Sequence, residues 1–359
     1  MSAANKSGEH PAATRPVCAY PRMAAQSLTW LPETVMVAAG VHIVPLMPAE
    51  DVSSVAVEAE RLGYDFCLVA DEGFHPDVYA CLGAIARATE RITLGVLTNG
   101  YTRHPAVTAA AAATVNELSG GRLVVVLLAG GSMVLSPMGI KRARPARVVA
   151  DTLEVLKALW SGREVSWKGE TCSLDRAQLG MGPLSIPIWI ASRGPRLLEL
   201  AGQQADGVVL TVKPDLGAAL NLVEAAAAAA GRREPSRYYL GRICYTPELL
   251  EGQRRTLSFV LMDSPRRVLE SLGLAPDEIE VVEHAAASNQ PGLVDGLVSG
   301  DLLRRYQVSG SSEECRIEVE RLARDHGLSG VLIDALSSEL DENLAVLADS
   351  LPIIAGARP

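Results

Sequence analysis

Aromatic side chains are scarce in this sequence: 4% of 359 residues, with three Phe, four Trp and eight Tyr. A core resting on stacked rings is therefore excluded. With 48% hydrophobic residues overall, the interior has to be built from Ala, Val, Leu and Ile, a composition that suits Ala-rich helices around a branched-aliphatic sheet. Positive charge is also short, 33 Lys and Arg against 42 Asp and Glu for a net charge of −9, which argues against nucleic acid as a general partner. Long apolar runs are missing. The longest, residues 106–115 and 123–129, fall well below the ~18–20 residues of a membrane helix, so no membrane association is expected. The six cysteines (Cys18, Cys67, Cys81, Cys172, Cys244 and Cys315) form no C-x-x-C pair, the usage of a reducing compartment, and a cytoplasmic location is expected. The six histidines show no H-x-x-x-H spacing, so no metal site is expected.

What is present is an alternation. Residues 1–34 are rich in Ser, Ala, Pro and Asn without a hydrophobic period, and read as a flexible extension. From residue 35 strand-like and helix-like segments take turns. Strands are expected at 35–44, 65–70, 92–98, 122–128, 186–191, 207–212, 238–245 and 330–333. Helices are expected at 49–62, 76–88, 105–118, 145–160, 195–205, 215–230, 312–326 and 338–351, and residues 247–306 read as a largely helical insertion after the seventh strand. Eight βα units close a (β/α)8 TIM barrel, here one domain over 35–359. An open doubly wound sheet would carry G-x-G-x-x-G after its first strand, and none follows Val44.

A barrel binds its ligands at the C-terminal ends of its strands. Those ends carry Val44-Pro45, Asp71-Glu72, Asn99-Gly100-Tyr101-Thr102-Arg103, Gly130-Gly131-Ser132, Ser192-Arg193-Gly194-Pro195-Arg196, Thr211 and Tyr245-Thr246. Pro195 fits the first turn of a helix, so the Ser192–Arg196 cluster reads either as a phosphate site made of helix amides, Ser and Arg, or as an ordinary βα turn. Asp71 and Glu72 offer a proton donor with a raised pKa, or a capping Asp beside a solvated Glu. His42, inside the first strand, is either a catalytic or a core histidine. Asn99 offers hydrogen bonds to a polar ligand, or simply marks a turn.

At these positions the sequence resembles the bacterial luciferase-like monooxygenase superfamily, most closely its deazaflavin-dependent branch typified by methylenetetrahydromethanopterin reductase. The resemblance is carried by V-H-I-V-P (41–45), A-E-R-L-G-Y-D-F (59–66), V-A-D-E (69–72), R-I-T-L-G-V-L-T-N-G-Y-T-R-H-P (91–105) and T-V-N-E-L-S-G-G-R (114–122). To these is added P-I-W-I-A-S-R-G-P-R-L-L-E-L-A-G-Q-Q-A-D-G-V (187–208). It implies coenzyme F420, or alternatively FMN, at the barrel mouth. The ring would lie near Pro45, Asp71, Leu97, Thr98, Asn99, Gly130, Gly131 and Ser132, and the phosphate-bearing tail would run toward Ala191, Ser192, Arg193, Gly194, Pro195 and Arg196. Glu72, Asp71 and His42 become the catalytic candidates. A non-prolyl cis peptide near residues 95–97 is also implied.

Two departures stand out. Many relatives have Asp-His where this chain has Asp71-Glu72, which would assign proton donation to Glu72. The usual G-x-G-D with an Arg four residues on appears as Ala129-Gly130-Gly131-Ser132 with Ser136, so a charge pair is missing.

The implied activity is hydride transfer between reduced F420 and a C=C, C=N or C=O bond of a small metabolite. The alternatives are an FMN monooxygenase using O2, and a non-catalytic paralogue partnering an active subunit. Such barrels are commonly homodimers, and the Ala-rich segment 105–114 would permit close packing of early helices. The substrate would be contacted by residues 162–183 and 247–306, where the resemblance is weakest.

Overall fold

The structure is a computed structural model that describes residues 37–357. The expected extension at 1–34 and Cys18 lie outside those residues.

Eight parallel strands close a barrel: β1 (Ala38–Ile43), β2 (Phe66–Ala70), β3 (Thr93–Thr98), β4 (Leu123–Leu128), β5 (Ile188–Ala191), β6 (Gly207–Leu210), β7 (Ser236–Gly241) and β8 (Gly330–Ala335). Each pairs with its sequence neighbours, and β8 returns to β1 in register from Ala38 against Gly330 to Ile43 against Ala335. The outer ring consists of α1 (Ala49–Leu62), α2 (Val78–Ala88), α3 (Pro105–Leu118), α4 (Pro145–Trp160), α5 (Pro195–Gln204), α6 (Leu216–Ala229), α7 (Ser312–His326) and α8 (Leu340–Gly356). Local chemistry sets their ends. Asp77 caps α2 by accepting from the Tyr79 and Ala80 amides, and proline occupies the first turn of α3, α4 and α5. A Ser311/Glu314 capping box opens α7.

Strand residues alternate between two cores. One parity packs under the helices; the other fills the lumen with Leu68, Leu97, Val124, Val126, Val209 and Leu332 among others. Three of the few aromatics plug the N-terminal end of that lumen, Trp189 stacked on Tyr238 with centroids 4.0 Å apart and Phe66 edge-on at 5.5 Å from Tyr238. Bulky luminal residues need small neighbours across the ladder. A Cβ at Gly95 would lie 2.0 Å from Leu68 Cδ2, so this site takes glycine for closeness.

Between β7 and α7 lies a helical segment: Pro247–Glu251, Arg254–Met262, Arg266–Ser271, Pro276–Ser288 and Gly300–Tyr306, with its own cluster of Leu257, Leu261, Val268, Leu272, Ile279 and Leu303. A short parallel pair, Ile243–Cys244 with Val308–Ser309, closes its base.

Several expectations are corrected. The peptides of β3 are trans, because the strand keeps an unbroken register with both β2 and β4; the cis peptide among the described residues is Gly182–Pro183. The connection at 162–183 contains an antiparallel hairpin, Val165–Lys168 with Ser173–Ala177. The loop at 130–144 holds a one-turn helix, Ser132–Leu135. Finally, α8 runs through Pro352 to Gly356 instead of stopping at 351, since Ile353 and Ile354 are buried and packing outweighs the lost amide.

Candidate active site

The luminal alternation, continued past each strand end, places His42, Glu72, Asn99, Gly130, Arg193, Thr211, Arg242 and Asp334 around the C-terminal mouth. Asp71 and Thr98 have the opposite parity. The Asp71 carboxylate accepts from Thr98 Oγ1 at 2.9 Å and from Arg103 Nε at 3.2 Å, behind the barrel wall. Arg103 also pairs with Asp77 and lies over the Tyr79 ring at 5.1 Å. Of the two adjacent carboxylates, Asp71 is committed to holding β2 and β3 together, and Glu72 is the one at the mouth.

Burial pushes the Glu72 carboxyl above the usual carboxylate range, and the negative charge of Asp71 adds to this. The nearby imidazoles of His42 and His75 pull the other way. His42 is 8% exposed, and its Nδ1 lies 2.7 Å from Asp334 Oδ1, its register partner on β8. That contact directs Nε2, which is buried without a partner.

Asn99 is buried and spends its side-chain carbonyl on the amides of Tyr101 (2.8 Å) and Thr102 (3.0 Å), so it shapes the turn that carries Tyr101 over the mouth. Pro45 is buried beside β1, and Leu97 belongs to the luminal cluster. Gly130 has φ +75°, and a Cβ there would meet Leu135 at 2.7 Å. The charge pair that the sequence lacks at Ser132 and Ser136 is present in space from elsewhere. Asp263, which follows the insertion helix Arg254–Met262, accepts from the Ser132 amide at 3.0 Å and hydroxyl at 3.1 Å and pairs with Arg142 at 3.0 Å. Ser136 instead donates to Asn289 at 3.2 Å.

At the end of β5, Ser192 Oγ accepts from the Gly194 amide at 3.0 Å and fixes the turn into α5, with Gly194 and Pro195 at its start. Ala191 lines the lumen below. Arg193 faces Tyr306 and Asp263 of the insertion, yet no carboxylate lies within ion-pair distance among the described residues, and burial lowers the guanidinium pKa. Its backbone is held by Arg267, which donates to the Arg193 carbonyl at 2.9 Å and pairs with Asp215 at 2.7 Å. Arg196 is exposed at the first turn of α5. The α5 amides and an arginine without an ion-pair partner among the described residues stand together at this end of the mouth.

Sequence reasoning placed Arg103 at the end of the third strand and overlooked Asp334, Arg242, Asp263 and Arg142. The same strand-end rule would have found the first two, since both stand at the luminal parity of β8 and β7; the other two depend on folded loops.

The luciferase-like monooxygenase family model matches residues 27–329. The chain belongs to that family. Membership places it among oxidoreductases. It is 29% identical over 300 residues to the 5,10-methylenetetrahydromethanopterin reductase of Archaeoglobus fulgidus, covering 79% of this chain and 90% of the relative. It is 32% identical over 176 residues to an F420-dependent glucose-6-phosphate dehydrogenase of Nakamurella multipartita, covering 45% of this chain and 52% of that one. The fold matches the coenzyme F420 dependent tetrahydromethanopterin reductase of Methanopyrus kandleri with a TM-score of 0.74 at 23% identity, over 87% of this chain and 97% of that one.

Proposed function

We propose that this family member is an F420-dependent oxidoreductase that reduces a polarised C=C, C=N or C=O bond in a small metabolite. The observation that carries the reading is the polarity of the mouth: Arg193, with no ion-pair partner among the described residues, beside the start of α5 on one side, and on the other the Glu72 carboxyl, whose pKa burial raises. The F420-dependent relatives supply the cofactor class.

The residues present fit such a group. The α5 amides, Arg193 and Arg196 would hold its phosphate. The aliphatic lumen wall and the Gly130-Gly131 backbone would face its ring, in keeping with a chain poor in aromatics. When bound, reduced deazaflavin supplies a hydride. Glu72 gives its proton to the heteroatom, or the second carbon, of the bond being reduced and is reprotonated from solvent. His42, oriented by Asp334, lies near enough to influence the Glu72 charge. The insertion lies against the mouth through Asp263, which accepts from the Ser132 amide and pairs with Arg142.

Titrating the purified chain with F420 and following deazaflavin fluorescence tests the reading. Saturable binding at micromolar cofactor is expected. Absence of binding overturns it, and oxygen uptake with reduced FMN would put an FMN monooxygenase in its place.

A further inference from the structure

Four neighbouring strands, β6, β7, β8 and β1, carry Thr211, Arg242, Asp334 and His42 within one residue of their C-terminal ends. Three of these carry buried polar atoms with no partner: Thr211 Oγ1, Arg242 Nε and His42 Nε2. The fourth, Asp334, has its carboxylate engaged by His42 Nδ1.

Arg242 is the informative member. It is 7% exposed, and its side-chain hydrogen bond among the described residues goes from Nη1 to the Asp334 backbone carbonyl at 3.0 Å. Among the described residues no carboxylate stands within ion-pair distance of it. Its backbone is held in place, for the Arg242 amide donates to Gln307 Oε1 at 2.9 Å, and Gln307 Nε2 donates to the buried Gln253 at 3.0 Å. A guanidinium withdrawn from water and left with one neutral acceptor is unfavourable until an anion reaches it. Arg Nε is a donor in every state, and a threonine hydroxyl can donate, so the unsatisfied set is one that an oxyanion completes.

We infer that Arg242, with Thr211, forms an oxyanion subsite for the substrate, so that the metabolite reduced here carries a carboxylate or phosphate group held on the β6–β7 side of the mouth. This rests on the function proposed above for the identity of the reaction, while the anion binding itself does not need the cofactor. The subsite is separate from the α5 turn that would take the cofactor phosphate, because it stands on different strands and uses different side chains. It gives the insertion a purpose as well: Gln253 and Gln307 set the backbone from which Arg242 projects.

The test uses the full chain without cofactor, in an Arg196→Gln background that weakens the α5 site. Thermal midpoints are measured with phosphate and, separately, malonate against chloride at equal ionic strength. A saturable rise is expected with at least one oxyanion, and which of the two is preferred distinguishes a phosphate from a carboxylate substrate. Arg242→Gln should weaken that binding at least tenfold, Arg242→Lys less, and Thr211→Val severalfold, while the F420 fluorescence titration changes by less than twofold in each. Equal anion affinity in Arg242→Gln and its parent overturns the subsite. If Arg242→Gln fails to fold, Thr211→Val decides, and unchanged affinity there overturns it. F420 binding without Arg242-dependent anion binding removes the subsite and leaves the proposed function standing; the reverse result removes the function and leaves the subsite.

Discussion

His42 and Asp334 stand side by side on the first and last strands, Nδ1 to Oδ1 at 2.7 Å, so the barrel is closed at its mouth by a contact between residues 292 positions apart. The pair is nearly excluded from solvent, and a hydrogen bond to a charged group in such a place contributes about 1.5–3 kcal/mol. Asp334→Ala should lower the unfolding free energy by about that much. Asp334→Asn, which keeps an acceptor and loses the charge, should lower it by less. Urea denaturation followed by circular dichroism gives the order; equal losses, or none, would show that the contact does not hold the seam.

Glu72 couples activity to stability. Its folded pKa is raised, so the stability attached to its protonated form is fully present below the ordinary glutamate value and is lost as pH rises through the raised one. Glu72→Gln, neutral throughout, should therefore raise the thermal midpoint relative to the parent at pH 8 and have little effect at pH 4. The same substitution removes the proposed proton donor and should cut turnover by about 10²–10⁴-fold. In the parent, rate should fall as pH rises through the Glu72 pKa. A variant less stable at pH 8, or one with near-parental turnover, contradicts this account.

The sequence carried most of the fold, because the barrel repeats one local rule eight times. Helices α1, α3, α4 and α7 have the limits expected of them, since Gly63 and Gly327 or a first-turn proline mark their ends. The end of α8 was obscured by Pro352, which reads as a stop until the burial of Ile353 and Ile354 is known. For the site, the strand ends of β1 to β6 were legible as positions, while that of β7 was set at Tyr245-Thr246 although the strand ends at Gly241, and which of two adjacent residues faces the lumen was not legible. Asp71 and Glu72 are separated by that single step of parity. Asp263 could not be read at all, because its meeting with Ser132 spans 131 residues and depends on how the insertion packs.

The insertion is docked partly through Asp215 and Arg267, 2.7 Å apart. Burial outweighs the guanidinium and holds the Asp215 carboxyl up at about 6. The sign is that of a raised group: its contribution is present below the unfolded value near 4 and lost as pH climbs through about 6. Asp215→Asn should flatten the stability profile between pH 4 and 7. It should also loosen Arg267 from the Arg193 carbonyl, giving faster amide exchange in the turn at 192–196. A profile as steep as the parent's would exclude Asp215 as the titrating group.

Ser132 and Asp263 allow the charge pair at the mouth to be moved. Asp263 serves the Ser132 amide, the Ser132 hydroxyl and Arg142 at once, so Asp263→Ser should free the loop at 130–144 and speed exchange of the Ser132 amide by roughly tenfold or more, about 1.4 kcal/mol. Ser132→Asp alone sets a second carboxylate against Asp263 and should also destabilise, since like charges at this range repel with little water between them. Combined, the two substitutions return one carboxylate to the reach of Arg142, now carried by the loop after β4. The double variant should then be more stable than either single one, with a coupling of about 1 kcal/mol or more in a double-mutant cycle. Simple additivity would mean that Arg142 does not follow the charge, and that the position of Asp263 on the insertion, rather than its carboxylate, is what orders this loop.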